Sequence, residues 1–266
     1  MAPEARPAGF TPTRRYDTYM LSGVKQMALT LTTRFKYSKL DTLVMKAGYG
    51  WGQVSTDGNV CTLVCDKDIK QPPAEIETIR ELLSLQIHRC TGLDLPATFL
   101  MLAKMWSVNR LQLKSCAITE LPPEVGALTN IVDFDLGNEG LGTSNELTTF
   151  PPEFASMKRL RYLKLHHNPQ FAAFPPEVAQ MTSLRHLGLR GFHALPKNIE
   201  LFPNLEDLKL TFSGIVPAHV LPLLDRPNGL KSVTVGEAYF NMFHELTAQY
   251  PEFSVTQEQT SLRGDY

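Results

Sequence analysis

The chain of 266 residues is 43% hydrophobic and 20% charged, which provides ample apolar material for a buried core. Its 26 Lys and Arg residues nearly balance its 27 Asp and Glu residues, and the net charge of -1 excludes the strong basic bias of a dedicated nucleic-acid binder. The sequence shows neither a secretory apolar segment nor a stretch apolar enough to span a membrane. Four cysteines and the absence of an Asn-x-Ser/Thr acceptor favour an intracellular protein, with the cytoplasm preferred and an organelle interior left open.

The first segment, residues 1–39, is basic: it holds seven Lys or Arg residues against two acidic residues, a charge of 7 − 2 = +5. We interpret it as an N-terminal arm that caps the fold, with docking or targeting as the alternative. Binding of RNA through this arm is a further hypothesis, and it predicts affinity that falls steeply with salt.

A repeated pattern fills residues 40–237. The segment 111–128 carries a Leu-x-Leu strand pattern followed by Leu-Pro-Pro-Glu-Val, and segment 163–181 repeats it with Phe-Pro-Pro-Glu-Val. The central apolar residues of the successive strands lie 20 to 29 residues apart along the chain, a spacing typical of short stacked repeats. These markers are Leu43, Leu63, Leu85, Leu111, Phe134, Leu163, Leu187, Leu208 and Val233.

Each unit combines a short strand with period-2 apolar residues and a Pro-started helical segment. One unit cannot bury its apolar face alone, whereas stacked units bury it between neighbours. The sequence therefore predicts an α/β solenoid with a curved parallel β-sheet on the concave side and short helices on the convex side.

These repeats resemble the leucine-rich repeat superfamily over residues 40 to 235, and they are most similar to the intracellular class with LPxEI-type repeats of about 23 residues, found in Ras-signalling scaffolds and plant relatives. The ladder asparagine of that family matches Asn168. The other ladder positions predicted from the repeat are Cys90, Cys116, Glu139, Phe192 and Ser213.

Two segments depart from the repeat. Residues 142–149 are extra and predict a loop that bulges from the fifth unit. Residues 238–266 are predicted to form a C-terminal cap, with a closing helix over 238–250 and a polar, mobile tail from Thr256.

Catalytic motifs are not found in the sequence. There is no phosphate loop and no Gly-x-Ser-x-Gly elbow, and Gly48, Gly50 and Gly52 do not have dinucleotide-binding spacing. His244-Glu245 begins a zinc-protease pattern, but Ala248 stands where the second histidine is required. We therefore predict a protein that is not an enzyme and that uses neither a cofactor nor a metal.

The cysteines and a short tripeptide have simple interpretations. Cys90 and Cys116 fall at ladder positions, and Cys61 and Cys65 lack a second metal-binding pair, which favours packed thiols over a metal site. The tripeptide Arg-Gly-Asp at 263–265 resembles an integrin-binding sequence, but without a secretion signal we regard it as a chance occurrence.

Strand alternation predicts the binding surface, because residues that flank each inward leucine project from the concave face. The predicted partner-binding residues are Gln86, His88, Arg89, Arg110, Gln112, Lys114, Asp133, Asp135, Tyr162, Lys164, His166, His167, His186, Arg190, Asp207 and Lys209. They form two basic zones around an acidic strip. Tyr162, Arg190 and Arg110 are the predicted anchors, since aromatic and arginine side chains dominate binding energy. Histidines on this face would make binding pH-sensitive if a partner covered them, although coincidence is the simpler interpretation.

The sequence leaves four functions open. The first is a non-catalytic interaction or scaffold module that binds a protein or peptide on its concave face. The second is an accessory subunit of a large, organellar assembly, and the third is a substrate receptor of a ubiquitin ligase. RNA binding through the basic arm is the fourth. We expect no small-molecule substrate and no membrane insertion.

Overall fold

A computed structural model describes residues 18–22, 51–55, 60–64, 70–72, 76–77, 82–138, 144–211, 213–226 and 228–258. In the first three of these ranges it describes the strand backbone alone. Most of the basic arm, the marker Leu43, Cys65 and the tripeptide at 263–265 lie outside the described residues.

The strands of the described ranges form one open sheet in chain order, from β1 at one edge to β11 at the other. They are β1 (Thr18–Ser22), β2 (Trp51–Ser55), β3 (Val60–Val64), β4 (Ser84–His88), β5 (Arg110–Lys114), β6 (Asp133–Asp135), β7 (Tyr162–Lys164), β8 (His186–Gly188), β9 (Asp207–Lys209), β10 (Ser232–Val235) and β11 (Ser254–Gln257). β1 and β2 pair antiparallel, as do β2 and β3. From β3 to β11 every neighbouring pair is parallel.

Short helices connect the parallel strands, and several begin at a proline, which suits the first helical turn because its N–H has no intrahelical partner. The α-helices are α1 (Leu95–Ala103), α2 (Pro176–Ala179), α3 (Pro217–Leu224) and α4 (Glu237–His244). Single turns of 3₁₀ helix lie at Pro123–Ala127, Pro152–Ser156, Ile199–Leu201 and Glu245–Ala248. The predicted α/β solenoid of strand-and-helix repeats is confirmed. Across the described residues, the helices lack the length and apolarity needed to cross a bilayer.

One row of apolar side chains runs across the sheet and forms the centre of the hydrophobic core. The strand register places its seven members directly opposite one another, and each is at most 1% exposed: Leu85, Leu111, Phe134, Leu163, Leu187, Leu208 and Val233. The prediction that these markers are neighbouring rungs is confirmed.

The Leu63 marker was placed wrongly, whereas the Leu43 marker lies outside the described residues. The register sets Cys61 opposite Leu85 and Leu63 opposite Ile87, so the Leu63 marker is two residues out of line. Residues two apart on a strand share a face, and the period-2 pattern alone does not choose between them. In addition, β3 has β2 as its antiparallel neighbour on the side where the sequence places the Leu43 strand.

Phenylalanine rings fill the space between the sheet and the helical side. Phe150 and Phe154 are stacked with ring centroids 4.2 Å apart, and Phe154 lies 6.3 Å from Phe134. Phe174 continues the cluster with an edge contact to Phe202 at 4.9 Å. Aromatic pairs at these distances contribute packing energy beyond their buried area, so they tie successive repeats together.

Asn168 satisfies buried backbone groups of two repeats, as the family's ladder asparagine does. Its side-chain Nδ2 donates to the carbonyl oxygens of Leu136 and Leu165, both at 3.1 Å, and its Oδ1 accepts from the N–H of Leu147 at 3.2 Å. Cys116 makes a weaker version of the same contacts: its Sγ lies 3.5 Å from the Ile87 carbonyl and 3.3 Å from that of Lys114. The ladder roles predicted for these two residues agree with the hydrogen bonds.

Asn145 makes the ladder contacts that the sequence assigned to Glu139, a residue outside the described ones. Asn145 is 1% exposed, accepts from the N–H of Cys116 at 2.8 Å and Ile118 at 3.1 Å, and donates to the carbonyls of Leu113 and Leu136 at 2.7 and 2.9 Å. Asn145 and Leu147 are buried, so the predicted loop over 142–149 does not bulge from the repeat at these two positions. Asn138 closes the base of the insertion, since its Oδ1 accepts from the Asn145 N–H at 2.6 Å.

The cysteines differ in state. Cys116 is a buried thiol. Cys90 is buried and disulfide-bonded. This bond contradicts the prediction of a thiol at Cys90 but not that of a packed residue there, and bonds of this kind persist mainly in oxidising surroundings.

The C-terminal cap begins as predicted and ends differently. α4 covers 237–244 and a 3₁₀ turn continues to Ala248, with Phe243 and Leu246 buried. The chain then forms β11, which pairs parallel with β10, so Thr256 belongs to a strand and not to a mobile tail. The division into 1–39, 40–237 and 238–266 stays a prediction.

Candidate functional site

The predicted partner-binding residues lie on six neighbouring strands, β4 to β9, or directly after them. Along β5 the exposure alternates: Arg110 is exposed, Leu111 and Leu113 are buried, and Gln112 and Lys114 are half-buried. We call the surface formed by the outward side chains of β4 to β9 the outer sheet face. Its first row is Ser84, Arg110, Asp133, Tyr162, His186 and Asp207, and its second row is Gln86, Gln112, Asp135, Lys164, Gly188 and Lys209.

Arg89 and His167 do not follow the strand alternation. Both come one residue after an outward histidine and have positive φ angles, 60° for Arg89 and 56° for His167. Ser115 and Gly191 have the same left-handed conformation at the equivalent places. These residues therefore form the turn that ends each strand, which the alternation rule does not describe.

The acidic strip is not an exposed acidic surface. Asp133 is 9% exposed and accepts ion pairs from Arg110 Nε at 3.2 Å and Lys164 Nζ at 3.3 Å. Asp135 is 3% exposed and pairs with Lys114 Nζ at 3.6 Å. The basic side chains of the neighbouring strands cover both carboxylates, so the face presents cationic groups held in place by buried acids.

An aromatic platform lies in the middle of the outer sheet face. The rings of Tyr162 and His186, on β7 and β8, are parallel within 4° with centroids 4.2 Å apart. His186 Nδ1 also contacts an oxygen of Asp207 on β9. Tyr162 nevertheless remains 40% exposed, so it presents a large, fixed and solvent-accessible ring.

A groove of about 330 Å³ lies beside this platform. Gly188, at an outward position in β8, is one of its lining residues. Lys164 and Lys209 flank the glycine on the two adjacent strands, and His166 forms a wall. Lys164 Nζ is bound to Asp133, and Lys209 Nζ is bound to Glu258 at 2.5 Å.

His166 is held neutral. Its Nδ1 accepts a hydrogen bond from the backbone N–H of Arg190 at 3.2 Å, which fixes the tautomer with the proton on Nε2. Burial lowers the pKa of His166 from 6.5 to about 3, and the charge of Lys209 contributes to the same shift. Burial and then Arg190 also lower the pKa of His167. The lowered pKa values of these two histidines favour coincidence, and not pH-sensitive binding, as the explanation of their place on this face.

His166 should instead make folding sensitive to acid. In the unfolded chain it binds a proton near pH 6.5 and in the folded chain only near pH 3, so its contribution to stability is complete above pH 6.5 and is lost as the pH falls toward 3. We expect His166→Asn, whose amide oxygen replaces the Nδ1 acceptor, to flatten the decline of the unfolding free energy between pH 7 and pH 5. Denaturant titrations of both proteins at the two pH values measure this, and equal declines would contradict the assignment.

Two residues of the site were missed. Gly188 escaped because a search for chemical groups overlooks an absent side chain, although a glycine at an outward strand position marks a close approach or a gap. Glu258 escaped because it follows β11, which the repeat pattern does not predict. Among the described residues, no group of three or more His, Cys, Asp or Glu side chains converges as a metal site would require.

The stacked leucine row, the Asn168 and Asn145 ladder and the parallel strand-and-helix units define a leucine-rich repeat solenoid. No protein-family model matches the sequence, and no curated protein matches it. Solved structures with a similar fold include a leucine-rich repeat protein of Leptospira interrogans, at 26% identity over 62% of this chain and 40% of that chain, with a TM-score of 0.45. The complex of TLR13 with ssRNA13 matches at 20% identity over 73% of this chain and 28% of that chain, with a TM-score of 0.48.

An internalin (inlF) from Listeria monocytogenes matches at 14% identity over 74% of this chain, with a TM-score of 0.40. This chain covers 49% of that structure. The chain thus spans less than half the length of each of these three relatives. The assignment of the solenoid rests on this chain's own register, buried row and ladder.

Proposed function

We propose that the protein is a non-catalytic interaction module that binds a protein or peptide partner on its outer sheet face. The observation that carries this proposal is the exposed Tyr162 ring, fixed against His186 in the middle of a wall of aligned strands and beside an open groove. Large aromatic rings most often dominate binding energy, and a ring that is already fixed loses little conformational entropy when the partner binds.

The charged groups around Tyr162 support the same role. The Arg110 side chain is 54% exposed, yet its Nε is fixed by the buried Asp133. A cation that is already oriented loses less entropy when a partner binds than a freely rotating one. The outer sheet face is therefore organised before binding.

Tyr162→Ala is expected to lower the affinity for the partner about tenfold or more, as the loss of a central aromatic anchor does. Candidate partners are first identified by affinity purification and mass spectrometry, and the dissociation constant of a purified partner is then measured by calorimetry. The control is Trp106→Ala, which removes a 73% exposed ring from the turn after α1, away from the outer sheet face. A larger loss for Trp106→Ala than for Tyr162→Ala would reject this surface.

A further inference from the structure

We propose that the groove over Gly188 is a carboxylate-binding subsite that accepts an acidic side chain of the partner polypeptide. The proposal rests on the proposed function and adds the chemistry of the partner: an acidic residue next to a group that packs on Tyr162. Four features support it, namely free space, cationic donors, a neutral ring donor and the absence of an unpaired acid among the described lining residues.

The groove is lined by Gly188 and by the His166 ring, which lies directly against the glycine. A Cβ at this position would lie 3.1 Å from His166 Nε2 and would contact the ring carbon beside it even more closely, so no larger residue fits without moving the histidine. The groove volume of about 330 Å³ is at the lower end of ligand pockets, about 300 to 1,000 Å³, and is large enough for a side chain.

Two ammonium groups border this space on opposite sides. Lys164 and Lys209 are paired in register with Gly188 on β7 and β9, which places their Cα atoms about 10 Å apart across two strand spacings. Their side chains are 35% and 42% exposed. Each ammonium has three donors and is bound to one carboxylate in the protein, so donors remain for a ligand.

His166 adds a neutral donor. Since its Nδ1 accepts from the Arg190 N–H, its Nε2 carries the hydrogen, and the His166 ring lines the groove beside Gly188. Within the described part of the chain, no hydrogen bond to Nε2 is formed. A carboxylate oxygen in the groove would accept from it, and hydrogen bonds to charged acceptors are the stronger ones.

The charge of the lining favours an anion. Asp207 is the acid among the described lining residues, and it contacts His186 Nδ1. The lysines at the two sides would repel a cationic partner group. The Tyr162 ring next to the groove suits the methylene stem of a glutamate or a neighbouring apolar side chain.

The test uses the whole protein and a fluorescein-labelled oligoglutamate amide, with an oligoglutamine amide of equal length as the neutral probe. Fluorescence anisotropy at low ionic strength should show binding of oligoglutamate and none of oligoglutamine. Lys164→Gln and Lys209→Gln should each lower the affinity for oligoglutamate about tenfold, which is the effect of losing one charge-assisted hydrogen bond. Lys158→Gln, the same charge change at an exposed turn position before β7, should leave the affinity nearly unchanged.

Three outcomes would overturn the subsite. They are equal losses in all three lysine variants, equal binding of the neutral probe, and displacement of oligoglutamate by an equal concentration of inorganic phosphate, which would indicate a general anion site. Thermal melts of each variant show whether it is folded. If a purified partner depends on Tyr162 but not on Lys164 or Lys209, the subsite is wrong and the docking face stands; if Tyr162→Ala is also without effect, both proposals are wrong.

Discussion

Leu163→Ala is expected to lower the free energy of unfolding by about 3 to 5 kcal/mol, the usual cost of a cavity at a fully buried leucine. Leu163 is 1% exposed and lies in the apolar row between Phe134 on β6 and Leu187 on β8. In a stack of repeats each unit buries its apolar face against its neighbours, so a cavity in one rung removes contacts with both of them.

Urea titration followed by circular dichroism measures this change, with Leu100→Ala as the matched control. Leu100 lies on α1 and is 51% exposed, so the same substitution there should cost less than about 0.5 kcal/mol. Equal costs at the two positions would mean that Leu163 is not a core rung.

Asn145→Ala should lower the free energy of unfolding by about 3 kcal/mol or more, nearly as much as Leu163→Ala. The side chain satisfies two buried N–H groups and two carbonyls, and each buried polar group left without a partner costs about 1 to 3 kcal/mol. Part of the loss is recovered where water enters beside the insertion. The effect should therefore exceed that of a single hydrogen bond while staying below the sum of four.

Asn204→Ala is the control for this prediction. Asn204 is an asparagine whose Nδ2 donates to the carbonyl of Thr182 at 2.8 Å in an exposed hydrogen bond. Asn204→Ala should lower the free energy of unfolding by about 1 kcal/mol or less, because water replaces the lost hydrogen bond. If Asn145→Ala were no more destabilising than Asn204→Ala in the same urea titration, Asn145 would not be a ladder residue.

The contrast between Asn168 and Asn145 shows which ladder residues can be predicted from the sequence and which cannot. Asn168 follows its strand at the usual distance, so counting from Leu163 finds it. Asn145 follows an insertion, and counting from Phe134 selects Glu139 instead. The physical requirement is the buried backbone of Cys116 and Leu113, which needs an amide with both donors and acceptors; this requirement is visible only when the neighbouring repeat is in place.

The outer sheet face was predictable in outline but not in its chemistry. Alternation along β5 and β7 places Arg110 and Tyr162 outward as predicted. The burial of Asp133 could not be read from the sequence, because its partners Arg110 and Lys164 come from adjacent strands and their side chains meet only across the sheet. The close approach of the His166 ring to Gly188 likewise appears only once the neighbouring strands are paired.

Site-specific photo-crosslinking tests the central claim, that the partner occupies the outer sheet face, most directly. A benzoylphenylalanine replaces Gln112, an outward residue of β5, in one sample and Trp106, in the turn after α1, in another. We expect irradiation of the complex with a purified partner to crosslink it through position 112 and not through position 106. Crosslinking through position 106 alone would contradict the claim.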